Sequence, residues 1–196
     1  MKNISFIAMA VLICVSPLSA QQVWKADVSH TAIQFKVRHM VFSDVTGRFN
    51  EFDLTAKTKS LDDFTNGDVT LKIQAKSIFT NNEMRDNHLR SDDFLNAEKY
   101  PEIIFKSTSF KKTADKKYKL AGTLTIRDVT KPIELDAELY GIGKDMQGKK
   151  TIAGFHVSGS INRFDFGVKF NKVMEAGGFV VGETIRFDMD VELIAQ

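Results

Sequence analysis

The sequence predicts an all-β fold: a single eight-stranded antiparallel barrel, elongated, with one short helical segment near residues 80–95. Three observations carry this. Apolar and polar residues alternate with a period of two along most of the chain from residue 23 onward. Clusters of turn-forming residues separate these runs. Finally, 16 phenylalanines stand against 3 tyrosines and 1 tryptophan, and that many rings without a polar handle need a dry interior.

The N-terminus comes first in order. Lys2 precedes an almost wholly apolar run from Ile4 to Leu18, and Leu18-Ser19-Ala20 supplies a small residue for cleavage. This pattern predicts a signal peptide over residues 1–20, export to the bacterial periplasm, and one barrel domain over residues 21–196. Cys14 is the only cysteine and lies inside the apolar run, after Ile13, so it does not suit a lipoprotein site. The exported domain then has no thiolate nucleophile, no cysteine metal ligand and no c-type haem attachment.

Five runs alternate cleanly. Ile33, Phe35 and Val37 share one parity, as do Val69, Leu71 and Ile73, and Tyr118, Leu120, Leu124 and Ile126. Ile133, Leu135, Ala137 and Leu139 follow the same rule, then Ile185, Phe187, Met189 and Val191. Each reads as a strand with one dry and one wet face, which favours antiparallel pairing. Three further strands are less regular. Residues 45–56 change phase between Phe49 and Phe52, which predicts a bulge. Residues 102–110 place Ile103 and Phe105 inward, followed by Ser107 and Ser109. Residues 151–161 put Ala153, Phe155 and Val157 on one face. Turns are expected at Asn66-Gly67, Ala114-Asp115-Lys116, Asp128-Val129-Thr130 and Gly141-Ile142-Gly143.

Between residues 80 and 95 the pattern changes. Thr80-Asn81-Asn82-Glu83 reads as a capping box with Thr80 as the N-cap, and a short helix should run to about Leu89. Residues 91–95 suggest a further turn, and Tyr100-Pro101 forces extended backbone before the next strand. The connection from Asn162 to Gly182 is long for a compact domain, and such loops usually carry function or motion.

Eight strands with one apolar face each can close into a barrel whose interior is either filled by side chains or holds one small ligand. Strands of roughly eleven residues, tilted by about 40°, give a barrel about 28 Å long. A narrow interior lined by Phe suits a chain-like apolar ligand. The stripes alone do not separate a hollow barrel from a filled one, although the small groups Gly122, Ala137, Ser107 and Ser109 favour open space. The expected tunnel wall is Ile33, Phe35, Val37, Leu71, Ile73, Phe105, Leu120, Leu124, Leu135, Phe155, Phe187 and Met189.

Several function classes lose ground. A net charge of +2 is too weak to point to nucleic acid. No histidines pair at HxH or HxxxH spacing, so no metal site is expected. No Gly-x-Ser-x-Gly elbow is present. Lys111-Lys112 and Lys116-Lys117 bracket a hairpin and would give at most transient contact with an anionic membrane surface.

The blocks Ser29-His30-Thr31-Ala32-Ile33-Gln34-Phe35-Lys36-Val37-Arg38-His39-Met40 and Val45-Thr46-Gly47-Arg48-Phe49 resemble the opening of the YceI-like family. Thr80 with Arg85-Asp86-Asn87-His88-Leu89 follows in family order, then Ser91-Asp92-Asp93-Phe94 and Tyr100-Pro101-Glu102-Ile103-Ile104-Phe105. Gly122-Thr123-Leu124-Thr125-Ile126, Val129-Thr130-Lys131-Pro132 and Asp165-Phe166-Gly167 complete the series. The resemblance implies an extended lipocalin-like barrel of bacterial secreted proteins that binds polyisoprenoid chains, including prenyl-tailed quinones or prenyl phosphates; no cofactor is expected.

Three polar residues could meet a lipid head group. His39 shares parity with Ile33, Phe35 and Val37 and so points inward at the end of an apolar stripe; the alternative is a histidine bonded to a rim carbonyl. Arg85 and His88 lie three apart on the predicted helix and share a face, where they could cap the mouth or instead pair with Asp86, Asp92 or Asp93. His30 reads as structural, and His156 faces solvent. The leading expectation is a non-enzymatic carrier of a long isoprenoid lipid or prenyl quinone. An enzyme of isoprenoid or amide metabolism using His39, Arg85 and His88, and a filled barrel that binds a protein through its loops, are the competing readings. The sequence leaves room for a homodimer.

Overall fold

The computed structural model describes residues 21–40, 42–172 and 179–196. The predicted export segment and residues 173–178 of the long connection lie outside them. The strands are β1 (Gln22–Ala26), β2 (Ile33–His39), β3 (Ser43–Phe49), β4 (Phe52–Thr58), β5 (Asp68–Gln74), β6 (Ile78–Phe79), β7 (Glu102–Ala114), β8 (Lys117–Ile126), β9 (Val129–Lys144), β10 (Thr151–Asn162) and β11 (Val181–Ala195). One helix, α1 (Glu83–Arg90), lies between β6 and β7.

Every pairing is antiparallel, and the order β1-β4-β5-β7-β8-β9-β10-β11 closes through β1–β11. The ring therefore has the eight expected positions. Three of them hold a broken strand. β1 and β2 pair in succession with β11, through Ala26↔Leu193 and then Phe35↔Phe187. β3 and β4 share the next position, and β5 and β6 the one beyond. The break between β1 and β2 is itself bonded to β11. Asp27 N–H donates to Glu192 O, Ala32 N–H to Asp190 O, and the Thr31 hydroxyl accepts from Glu192 N–H.

Several local expectations change. The phase switch after Phe49 is a break at Asn50-Glu51 and not a bulge; Asn50 N–H donates to Ser77 O and Glu51 N–H to Ser77 Oγ. A bulge does occur in β7, where Ser107 faces Gly122 and Ser109 faces Ala121. The extra residue, Thr108, reverses the parity and turns Phe110 inward behind Phe105. Ser107 Oγ accepts from Val69 N–H at 2.7 Å, so this serine seals the bulge and does not open space. Gly141-Ile142-Gly143 lies inside β9, not in a turn; Tyr140 is an extra residue against β10, and the chain reverses only at 145–150. The other hairpins turn tightly, at Asp115-Lys116 and Arg127-Asp128, with Lys116 and Arg127 at positive φ.

The helix cap also differs. Asn82, not Thr80, is the N-cap, and its side chain accepts from Arg85 N–H. Thr80 is committed elsewhere: its N–H and hydroxyl both donate to the buried carboxylate of Asp86, at 2.9 and 2.5 Å. At its far end α1 is pinned by Arg90, which donates to the carbonyls of Lys76 and Ile78. This matters because β6 pairs with β3 and with no further strand among the described residues, and Arg90 covers carbonyls at the edge where the ring splays.

Candidate functional site: an apolar cavity along the barrel

The barrel is hollow. A cavity of about 610 Å³ runs inside it, within the size range of small-molecule sites. All the tunnel residues expected from parity line it, from Ile33, Phe35 and Val37 through Leu71, Ile73, Phe105, Leu120, Leu124, Leu135 and Phe155 to Phe187 and Met189. Ala137 lines it too. Gly122 does not leave a void. The Phe105 ring lies over it, and Phe35 lies over Gly47 in the same way. Two strands thus lay a ring against the neighbouring wall, which leaves the axis open.

Aromatic rings close one end. Phe64, from the connection between β4 and β5, sits 5.1 Å from the Trp24 ring and 4.9 Å from the Phe155 ring. Phe110 and Tyr118 complete the cluster, with ring centroids 5.1 Å apart. Trp24 Nε1 donates to Thr58 Oγ1, whose hydroxyl donates to Ser60 O. Buried indole nitrogen and hydroxyl are both satisfied there. Pattern reading missed Phe64 and Trp24: one sits on a non-periodic loop, the other on a strand of five residues. The Lys111-Lys112 and Lys116-Lys117 hairpin lies at this closed end.

The opposite end carries α1 and the polar groups. Asn82, Met84, Arg85, His88 and Leu89 line the cavity there, joined by Arg38, His39, Val180 and Arg163. His39 Nδ1 lies 3.1 Å from Val180 O. The carbonyl can only accept, so Nδ1 carries a proton and is the donor of this bond. Arg85 turns toward Thr80, with Nε 2.7 Å from Oγ1 and Nη2 2.7 Å from the carbonyl, and pairs with no carboxylate among the described residues. His88 Nε2 is 2.8 Å from Asp93 Oδ2, and its ring meets Phe94 and Phe170 edge-on, each at 5.0 Å. The structure brings all three predicted polar residues to one mouth, each held by a different protein group.

Arg163 was not foreseen. It opens a short 3₁₀ turn, Arg163–Phe166, capped by the Asn162 side chain and ended by Gly167 at φ 74°, a left-handed position that suits glycine. Only 3% exposed, Arg163 donates to the carbonyls of Gly182, Val168 and Val181 at 2.8–3.0 Å, and lies 4.4 Å from the Phe164 ring. Burial lowers its pKa. The signal was present in Asn162-Arg163-Phe164, but no periodicity marked it. Among the described residues no aspartate or glutamate lines the cavity. Its mouth therefore presents mainly donors, on an otherwise apolar wall.

A second polar cluster stands outside. Asp27, His30 and Glu192 bring donor atoms within 4.8 Å of one another. Hydrogen bonds from the Ser29 hydroxyl and backbone, then from His30, hold the Asp27 carboxyl at about 2. The hydrogen bond to Asp27 in turn pushes His30 up. These contacts clasp the break between β1 and β2 to β11, and they account for the cluster without an ion.

The YceI-like domain family matches residues 24–193, nearly the whole described chain. The chain belongs to the YceI-like family. A UPF0312 protein of Staphylococcus aureus is 33% identical over 166 residues, covering 85% of this chain and 94% of that protein. The Campylobacter jejuni YceI protein is 32% identical, with a TM-score of 0.71 over 81% of this chain and 90% of that one. At lower identity the fold persists. Burkholderia cenocepacia BcnA is 18% identical with a TM-score of 0.72, covering 87% of this chain and 99% of its own. A polyisoprenoid-binding domain from Saccharophagus degradans, implicated in plant cell wall breakdown, is 13% identical with a TM-score of 0.64, covering 88% and 98%. This YceI-like chain thus has its family's closed eight-position barrel, with β1 and the β4–β5 connection at the aromatic end and α1 at the cavity mouth.

Proposed function

We propose that the protein is a non-enzymatic carrier that holds a long apolar isoprenoid-type lipid in its barrel. The ligand classes are a polyprenyl chain, a prenyl phosphate or a prenyl quinone. The observation that carries this reading is the apolar cavity along the barrel, walled by Phe, Leu, Ile and Val from the aromatic floor at Phe64 to the polar mouth at His88. Each methylene moved there from water contributes about 0.8 kcal/mol before ordering costs. A chain can therefore bind without polar contacts along its length. In this reading the head group sits at the mouth, where the guanidinium groups of Arg85 and Arg38 suit phosphate or quinone oxygens. The polyisoprenoid-binding character of the Saccharophagus domain supports the same ligand class. His39, Arg85 and His88 share no hydrogen bond, which favours positioning a ligand over relaying protons. Export to the periplasm is proposed from the apolar segment at residues 4–18.

The test is lipid extraction and native mass spectrometry of the purified protein. The expected result is a co-purifying isoprenoid, or stoichiometric uptake of added prenyl alcohol. No apolar ligand and no uptake overturns the reading. Cell fractionation tests the export proposal, with the protein expected in the periplasmic fraction.

A further inference from the structure

We infer that Phe64 is the gauge that sets how long a prenyl chain the cavity accepts. The inference deepens the carrier reading and rests on it. Three rings face the void at the closed end: Phe64, Phe110 and Phe155. Phe110 and Phe155 belong to β7 and β10 and are part of the wall. Phe64 comes from the connection between β4 and β5 and is fully buried. That connection is fastened across the end of the barrel, with Asn66 N–H donating to Phe110 O at 2.8 Å and Gly67 N–H to Phe64 O at 3.0 Å. Behind Phe64 lies Trp24, centroid to centroid 5.1 Å away, which does not line the void. The Phe64 ring is therefore one aromatic layer between the ligand space and the indole.

Affinity for a chain ligand climbs with each unit buried and flattens once further units stay in water. The flattening point reads the depth of the floor. Removing one ring layer deepens the cavity by about one isoprene unit, since four chain bonds of about 1.5 Å span roughly 5 Å when extended. The ring sits on a loop, so the floor can be altered without touching the hydrogen-bonded wall.

The experiment measures binding of all-trans prenyl alcohols, lengthened one isoprene unit at a time from farnesol, to the wild type and to Phe64→Ala and Phe64→Leu. Native mass spectrometry reads occupancy, and cooperative thermal unfolding confirms folding. The expected result is a flattening point about one unit later in Phe64→Ala and a smaller shift in the same direction in Phe64→Leu. If Phe64→Ala does not fold, Phe64→Leu decides alone. An unchanged flattening point in a folded variant overturns the gauge and leaves the carrier reading standing. A wild type that takes up no prenyl alcohol of any length overturns both.

Discussion

The ring of Phe105 lies over Gly122 on the adjacent strand. A Cβ at that glycine would fall 2.6 Å from the ring and 2.4 Å from the Lys106 carbonyl oxygen. Since the second obstacle is backbone, it cannot swing away. Gly122→Ala should destabilise the fold by about 1–3 kcal/mol, as overpacking does, and push Phe105 toward the axis. Gly159 offers the comparison. There the close neighbour is the tip of Leu135, at 2.5 Å from a built Cβ, and the nearest backbone is 3.5 Å away. Gly159→Ala should cost less than Gly122→Ala. Urea unfolding ranks the two, and prenyl uptake should fall in Gly122→Ala.

Parity made the wall of the cavity legible. Residues spaced by two on a strand face the same side whatever the rest of the fold does, so Ile33, Phe35, Leu124 and Met189 could be placed inward without tertiary knowledge. The breaks were not legible. Two offset segments sharing one ring position, as β1 and β2 do, leave no local signature, because the break is held by the Thr31 hydroxyl and the distant β11 backbone. The cap was ambiguous for a similar reason. Thr80 and Asn82 both suit an N-cap, and only the buried Asp86 removes Thr80 from the contest. Arg163 and Phe64 lie on irregular backbone, where side-chain direction follows from the fold and not from spacing.

Thr80 and Asp86 make the firmest polar tie at the mouth. The carboxylate, 4% exposed, accepts two bonds from Thr80, while Arg85 donates to the Thr80 hydroxyl and carbonyl. Asp86→Ala orphans the buried Thr80 N–H and releases the group that orients Arg85. The expected cost is about 2–4 kcal/mol. Hydrogen exchange should quicken across α1 and the residues from Thr80 that lead into it, while the closed end, around Trp24, stays protected. Uniform loss of protection would show that the tie is not local to the mouth.

Arg163 holds three carbonyls with one guanidinium. Arg163→Met keeps most of the volume and removes the buried cation, but it leaves the carbonyls of Gly182, Val168 and Val181 without their donors. Bonds to a charged donor are each worth about 1.5–3 kcal/mol, so the loss should outweigh the gain from neutralising the site, by about 2–4 kcal/mol net. Arg163→Lys should rescue only part of it, because an ammonium lacks the planar fork. Chemical denaturation measures both. A methionine variant as stable as the wild type would mean those carbonyls find other donors.

The Asp27–His30 pair gives stability a shallow pH dependence. The Asp27 carboxyl is held at about 2 against an ordinary 3.8. Its contribution is complete above 3.8 and is lost as the pH falls through about 2. His30 is raised from 6.5, so its contribution is complete below 6.5 and fades as the pH climbs through the raised value. His30 is exposed and Asp27 only partly buried, so the effect is small and shrinks in high salt. The wild type should melt slightly above His30→Ala at pH 5, and the gap should narrow as the pH climbs beyond 6.5. In Ser29→Ala the Asp27 midpoint, followed by NMR, should move up toward 3.8. A gap that widens with pH contradicts the assigned sign.

Ala137 separates the hollow barrel from the filled one. It stands on β9 between Tyr118 of β8 and Val157 of β10, is buried, and faces the cavity. In a filled barrel a larger side chain there would collide and destabilise the core by about 1–3 kcal/mol. In a hollow one it enters empty space. Ala137→Phe should therefore fold with little loss of stability, because the new ring buries apolar surface without displacing a neighbour. It should also occupy the volume that a prenyl chain needs, so uptake should fall at least tenfold. Thermal unfolding and prenyl titration on one preparation give both readings. Stability kept and binding lost places the ligand inside the barrel; stability kept and binding kept moves it to the outer surface.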